Sequence, residues 1–146
     1  MVEEKEPTDD SQKLQLLLLK IQSHQNSLQG MTKQLALVEK SVSEIMDTIA
    51  AVGEIPKTKE QESLIPIGSG VFVKANLLEK NKFLVSVGAN IFLDKTAPET
   101  KTYLENQKTE LQKNLELLSA QIRKIQTELA RNNKEAEELY AKLQKG

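Results

Sequence analysis

The sequence predicts a mainly α-helical fold with a small β segment: a long antiparallel coiled-coil hairpin of two helices, with two central β-hairpins at its base. Two unbroken heptad seams occupy the two ends of the chain, and a period-two pattern occupies its middle. Charged residues make up 28% of the 146 residues and aromatic residues 3%, which is typical of coiled coils. We expect a disordered acidic tail at residues 1–10 and a single domain at 11–146.

The first helix is predicted at residues 11–52. Its seam spacings alternate between three and four, and every seam residue except His24 is apolar. Gly53 is expected to end the helix, and Pro56 prevents its continuation. Residues 53–63 are then expected to form a linker. The seam consists of Leu14, Leu17, Ile21, His24, Leu28, Met31, Leu35, Val38, Val42, Ile45, Ile49 and Val52.

Residues 64–95 alternate with period two and are rich in β-branched side chains, which predicts four short strands at about 64–67, 70–78, 82–87 and 91–95. Gly68-Ser69-Gly70 and Gly88-Ala89-Asn90 are the expected turns of two hairpins. Strands this short and few are not stable alone, so we expect them to need a partner sheet, most simply from another subunit.

The second helix is predicted at residues 97–145. Thr96 is the expected N-cap, Glu99 completes a capping box, and Pro98 fits the first turn. A second seam follows, apolar except at Lys108 and Asn132. It consists of Leu104, Lys108, Leu111, Leu115, Leu118, Ile122, Ile125, Leu129, Asn132, Ala136, Leu139 and Leu143.

Each helix has a single narrow apolar stripe and therefore needs a partner helix. The hairpin places both chain termini at its far tip. A parallel homodimer is the alternative, but it would bring Lys108 against Lys108, which is unfavourable. In the hairpin, the numbers of facing residues should sum to about 150. His24 and Asn132 then both lie toward the tip, where each interrupts the apolar seam and weakens local packing. The expected neighbours are Ile122 or Ile125 for His24, and Leu17 or Leu18 for Asn132.

Composition and motifs exclude several function classes. The net charge of −1 comes without a basic stripe for nucleic acid, and no apolar run is long enough to cross a membrane. There is no cysteine, acid pair or metal-ligand spacing, and Gly68-Ser69-Gly70 lacks the phosphate-loop pattern. His24, the sole histidine, lies in a seam rather than a pocket. We expect a cytoplasmic protein that is not an enzyme and that uses no cofactor.

Leu16, Leu18 and Leu19 exceed what the seam requires. Four consecutive leucines surround a helix, so some must face outward, either as a wider packing stripe or as an exposed apolar patch. Leu139, Tyr140 and Leu143 are expected nearby. From position alone we place Leu14, Leu16, Leu17, Leu18, Leu19, Leu139, Tyr140 and Leu143 at the tip of the coiled-coil arm.

The centre of the chain resembles the prefoldin alpha subunit family, in its archaeal form. Residues 64–75, LIPIGSGVFVKA, are similar to that family's L-(V/I)-P-(V/I)-G-x-G-x-F-(V/I)-K-(A/G) stretch. Residues 85–90, VSVGAN, are similar to its V-S-V-G-x-G turn, with Asn90 in place of the second glycine. Two hairpins fit the alpha class rather than the one-hairpin beta class. The resemblance spans about residues 11–145, with the specificity in the centre.

The resemblance implies an ATP-independent chaperone subunit. Such subunits form hexamers of two alpha and four beta chains, hold non-native polypeptides at the tips of their coiled coils, and deliver them to a group II chaperonin. The β segments would form the assembly interface, which we place at Ile67, Val71, Val73, Phe83, Val85, Val87 and Phe92. The alternative function is a structural or tethering coiled-coil protein that self-assembles through its β segment.

Overall fold

The computed structural model describes residues 9–145. In chain order, two antiparallel β-hairpins lie between two long helices, which confirms the predicted fold class. The residues of the expected acidic tail lie outside the described part, except Asp9 and Asp10, which are helical. In order, the elements are α1 (Asp9–Glu54), a 3₁₀ turn (Ile55–Lys57), β1 (Glu62–Gly68), β2 (Val71–Asn76), β3 (Lys82–Gly88), β4 (Ile91–Thr96) and α2 (Ala97–Gln144).

Helix α1 begins and ends at different residues from those the sequence suggested. Asp9 and Asp10 form its first turn, where carboxylates interact favourably with the helix dipole. The prediction that Gly53 ends the helix is wrong, because α1 continues through Gly53 to Glu54. The chain then tightens into the 3₁₀ turn that contains Pro56. Proline, which restricts the preceding residue and cannot continue the hydrogen-bond ladder, therefore terminates the helix.

The chain divides into two compact units. The terminal unit comprises the described residues 9–39 and 113–145, and the hairpin unit comprises residues 40–112. In the terminal unit, Leu17, Ile21 and Ala136 form a buried cluster, with Leu14, Leu129 and Leu139 packed against it. The two helix segments of this unit therefore bury their predicted seams against each other.

Side-chain contacts between α1 and α2 show that the helix segments of the terminal unit run antiparallel. The Asp10 carboxylate lies 3.3 Å from the Lys142 ammonium, and His24 Nε2 lies 3.6 Å from a Glu128 carboxylate oxygen. Residue numbers thus fall on α2 as they rise on α1, as predicted for a hairpin rather than a parallel dimer. His24 pairs with Glu128, slightly further along α2 than the expected isoleucines.

The hairpin unit contains two separate two-stranded sheets that repeat each other. In β1–β2, Pro66 faces Phe72 and Gly68 faces Val71. The β3–β4 pairs Ser86–Phe92 and Gly88–Ile91 have the same register. In each hairpin the register shifts between the last two of these pairs. The glycine at each shift has a positive φ, +121° at Gly68 and +106° at Gly88, a region that essentially only glycine adopts.

Helix α2 starts as the sequence indicated. The Glu99 backbone N–H donates to Thr96 Oγ1 at 3.3 Å, which is the N-cap hydrogen bond. Thr100 is buried, and its hydroxyl donates to the Thr96 carbonyl at 2.8 Å. The Tyr103 hydroxyl then donates to the Ser86 carbonyl at 3.4 Å, so the first turns of α2 are tied directly to β3.

Candidate functional site

The first turns of α1 expose a leucine patch, which we define as Leu16, Leu18 and Leu19. These side chains are 64%, 53% and 67% exposed, whereas Leu17 between them is 8% exposed. Successive helical residues are rotated by about 100°, so one leucine of four enters the core while the others point elsewhere. The outward-facing interpretation of the surplus leucines is therefore the one that the structure supports.

The other residues assigned to the tip have mixed environments. Leu14 and Leu139 are half-buried against the core cluster, and Leu143 is half-buried. Tyr140 is exposed, and its hydroxyl accepts a hydrogen bond from the Gln144 side-chain amide at 2.9 Å. Of the eight assigned residues, the leucine patch and Tyr140 thus present open surface, while the seam leucines stabilise the helix pair beneath them.

A groove runs along the terminal unit beside the leucine patch. It has a volume of about 670 Å³ and brings Leu16, Leu17 and Leu19 of α1 next to Asn132 of α2. Asn132 is buried, and it lines the groove together with Leu17. A polar residue in an otherwise apolar seam weakens packing and fixes register.

Charged side chains also line this groove, and the sequence analysis did not single them out. Lys13, Lys20 and Arg131 provide three positive charges, and Glu135 provides one negative charge. The spacing of Lys13 and Lys20 around Leu16, three and four residues apart, was the available signal, since such residues share a helix face. Arg131 offered none, because it reaches the groove from the other helix.

Apolar side chains cover both faces of the two hairpins. Ile67, Val71, Val73, Val87 and Phe92 of the assigned interface are exposed, while Phe83 and Val85 are half-buried. The sequence analysis missed further exposed apolar residues of the same strands, some on the face opposite to the assigned residues and some on the same face, such as Ile65, which pairs with Val73. These are Leu64, Ile65, Phe72, Leu84, Ile91 and Leu93.

Tyr103 fixes the second hairpin to α2. Besides donating to Ser86, its hydroxyl accepts from the Gln107 side-chain amide at 2.9 Å. The Lys95 ammonium lies 5.7 Å from the centre of its ring, within the range of a cation–π interaction. One aromatic side chain therefore links β3, β4 and the helix.

Residues 9–145 contain no group of three or more His, Cys, Asp or Glu side chains placed to hold a metal ion. Within the same range, no helix is both long and apolar enough to cross a membrane.

Comparisons with known proteins agree with the residue patterns. A family model described as "Prefoldin subunit" matches residues 24–142. Prefoldin subunit alpha of Methanococcus vannielii is 27% identical over 135 residues, covering 92% of this chain and 91% of that protein. Prefoldin subunit alpha of Methanococcoides burtonii is 31% identical over 107 residues, covering 73% of this chain and 78% of that protein.

A solved structure has the same fold. It is the cryo-EM structure of filamentous PFD from Methanocaldococcus jannaschii, one chain of which matches with a TM-score of 0.68 and 18% sequence identity. The match covers 77% of this chain and 93% of that chain. The likeness in fold therefore persists where the sequences have diverged.

Proposed function

The chain belongs to the prefoldin family, and from that premise we propose that it is a subunit of an ATP-independent chaperone that holds unfolded or nascent polypeptides. The leucine patch carries the proposal. Three large apolar side chains, each more than half exposed, lie within about one helical turn of α1. Burying a leucine side chain against a partner contributes about 1.5–3 kcal/mol, and exposed apolar segments are what distinguishes a non-native polypeptide from a folded one.

A single patch of this size binds weakly, so holding requires several arms. We propose that the chain assembles as one of two alpha subunits with four beta subunits. Arms joined in one assembly act at a high effective concentration, which raises the overall affinity without any new contact. Binding and release then follow from many weak apolar contacts and need no nucleotide.

The hairpins are the proposed site of assembly. A two-stranded sheet is at best marginally stable in water, and here its apolar side chains are exposed on both faces. Pairing with the strands of neighbouring subunits would cover those faces and complete the edges. Delivery of the held polypeptide to a group II chaperonin, which the family resemblance implies, is the final step of the proposal.

The experiment is suppression of aggregation by the assembled complex, with Leu16, Leu18 and Leu19 all changed to Ser. The matched control changes Leu37, Met46 and Leu117 to Ser, since these residues are 67%, 54% and 65% exposed elsewhere on the helices. We expect the patch variant to lose most of its holding activity while the mass of the assembly stays the same. Full suppression by the patch variant, or equal losses in both variants, would refute the assignment.

A second candidate function is a structural rod that self-assembles through its β segment. The exposed apolar side chains of both hairpins favour it, because such strands can pair with further copies of the same chain. The two functions differ in composition of the native assembly: the rod contains this chain alone, and the chaperone contains a second, beta-type subunit.

A further inference from the structure

The groove beside the leucine patch combines an apolar floor with charged walls. Leu16 and Leu19 are largely exposed, and the buried Leu17 also lines the groove. The volume of about 670 Å³ accommodates several amino-acid side chains. An apolar segment that lies on Leu16 and Leu19 would therefore be seated in this groove rather than on an open helix face.

The charges around that floor are unbalanced in favour of cations. Lys13, Lys20 and Arg131 face a single acid, Glu135, and all four side chains are exposed. Within residues 9–145, none of the three cations forms an ion pair. Each of them thus remains available to a negative charge on a bound segment.

The spacing of the cations suits a bound polypeptide. Lys13 and Lys20 are two helical turns apart, about 10 Å along α1, with Leu16 between them on the same face. An extended chain covers about 3.4 Å per residue, so the same distance corresponds to about three residues of the bound polypeptide, the client. A segment with apolar residues at its centre and acidic residues two to four positions apart would meet the leucine and both ammonium groups together.

We propose that this groove selects, among non-native polypeptides, apolar segments flanked by Asp or Glu, and that it disfavours segments flanked by Lys or Arg. The inference rests on the proposed function, because it specifies which clients the same surface holds. Its physical basis is charge complementarity at the rim of an apolar site, which governs specificity and association rate more than total affinity. The leucines supply attraction to any apolar segment, and the rim cations discriminate among such segments.

The test uses fluorescent peptides that share the same central Leu and Phe residues and differ only in their flanking residues, which are Glu, Gln or Lys. Fluorescence anisotropy measures their binding to the assembled complex. We expect the Glu peptide to bind about three- to tenfold more tightly than the Lys peptide, with the Gln peptide between them, since exposed ion pairs contribute modestly. The preference should shrink as salt rises from about 0.1 M to about 1 M, because screening shortens from about 10 Å to 3 Å.

A charge-removal variant assigns the preference to the groove. With Lys13, Lys20 and Arg131 all changed to Gln, the Glu and Lys peptides should bind equally, at close to the affinity of the Gln peptide. Persistence of the preference in this variant, or its absence in the unmodified protein, would overturn the inference.

The matched control removes the same charges from the same unit but away from the groove, by changing Lys33, Arg123 and Lys124 to Gln. All three side chains are exposed. This variant should keep the preference, and an equal loss here would overturn the inference by making net charge the cause. The leucine-patch variant separates the two hypotheses. If this variant still holds unfolded polypeptides, the proposed function fails. If it loses binding to all three peptides, and the unmodified protein shows no charge preference, only the inference fails.

Discussion

Replacing the four consecutive leucines of α1 with Ala, one at a time, separates the core from the surface. Leu17 is 8% exposed and packs with Ile21 and Ala136, whereas Leu18, the next residue, is 53% exposed. We predict that Leu17→Ala lowers the free energy of unfolding and that Leu18→Ala leaves it nearly unchanged, although the chemical change is the same.

The magnitude follows from the surroundings of each side chain. Leu→Ala in a fully enclosed core costs about 2–5 kcal/mol, and the cost rises with the cavity left behind. Leu17 borders the groove, so water and neighbouring side chains can partly fill the vacated space. We therefore expect about 2 kcal/mol at Leu17, the low end of that range. At exposed Leu18 the change should stay within about 0.5 kcal/mol.

Urea unfolding of the assembled protein, followed by far-ultraviolet circular dichroism, measures both values, and amide exchange locates them. The loss of stability in Leu17→Ala should speed amide exchange in residues 9–39 and 113–145, because these segments share the buried cluster. Equal costs at Leu17 and Leu18, or a cost at Leu17 below about 0.5 kcal/mol, would refute the predicted heptad register.

Four further substitutions test other parts of the structure. Asn132→Leu should stabilise the protein by about 1 kcal/mol and slow amide exchange in the terminal unit, because it replaces a buried amide in the seam with an apolar side chain. Faster amide exchange would show that the Asn132 amide is needed there. Gly88→Ala should lower the free energy of unfolding in urea by about 1–3 kcal/mol, because φ is +106° at this residue. Gly30→Ala in α1 should raise it by about 1 kcal/mol, since no atom obstructs the added Cβ. A change of the same sign in both variants would contradict the turn geometry. Tyr103→Phe should cost about 1 kcal/mol in thermal unfolding through loss of the hydroxyl's hydrogen bonds, and no change would mean that the bond to Ser86 contributes nothing.

The heptad pattern predicted the helices and their core well. All of the positions in the two seams are buried or half-buried, including the polar ones, because period and burial have the same cause in a paired helix. Antiparallel pairing followed from the nearly equal lengths of the two helices and from the β segment that joins them at one end. His24 and Asn132 lie in the seam, as the periodicity required.

The helix ends were harder to predict. Gly53 was expected to terminate α1, but glycine only permits a C-cap and does not enforce one. Pro56 enforces the end, since it removes a hydrogen-bond donor and restricts the preceding residue. The capping of α2 by Thr96 was predictable because a side-chain oxygen has a specific partner there, the Glu99 N–H.

The candidate site was predictable only on one helix. The leucine run indicated an exposed patch, but periodicity on α1 alone does not show which α2 side chains lie beside it. Arg131 joins the groove through tertiary pairing, so its place became visible only in the structure, whereas Asn132 was already expected near Leu17 or Leu18.

The composition and mass of the native assembly test the central claim most directly. Native mass spectrometry of the tagged chain, purified from its own host, gives both quantities in one measurement. The account predicts a hexamer with two copies of this chain and four copies of a smaller coiled-coil subunit. A homodimer, or a polydisperse assembly of this chain alone, would contradict it.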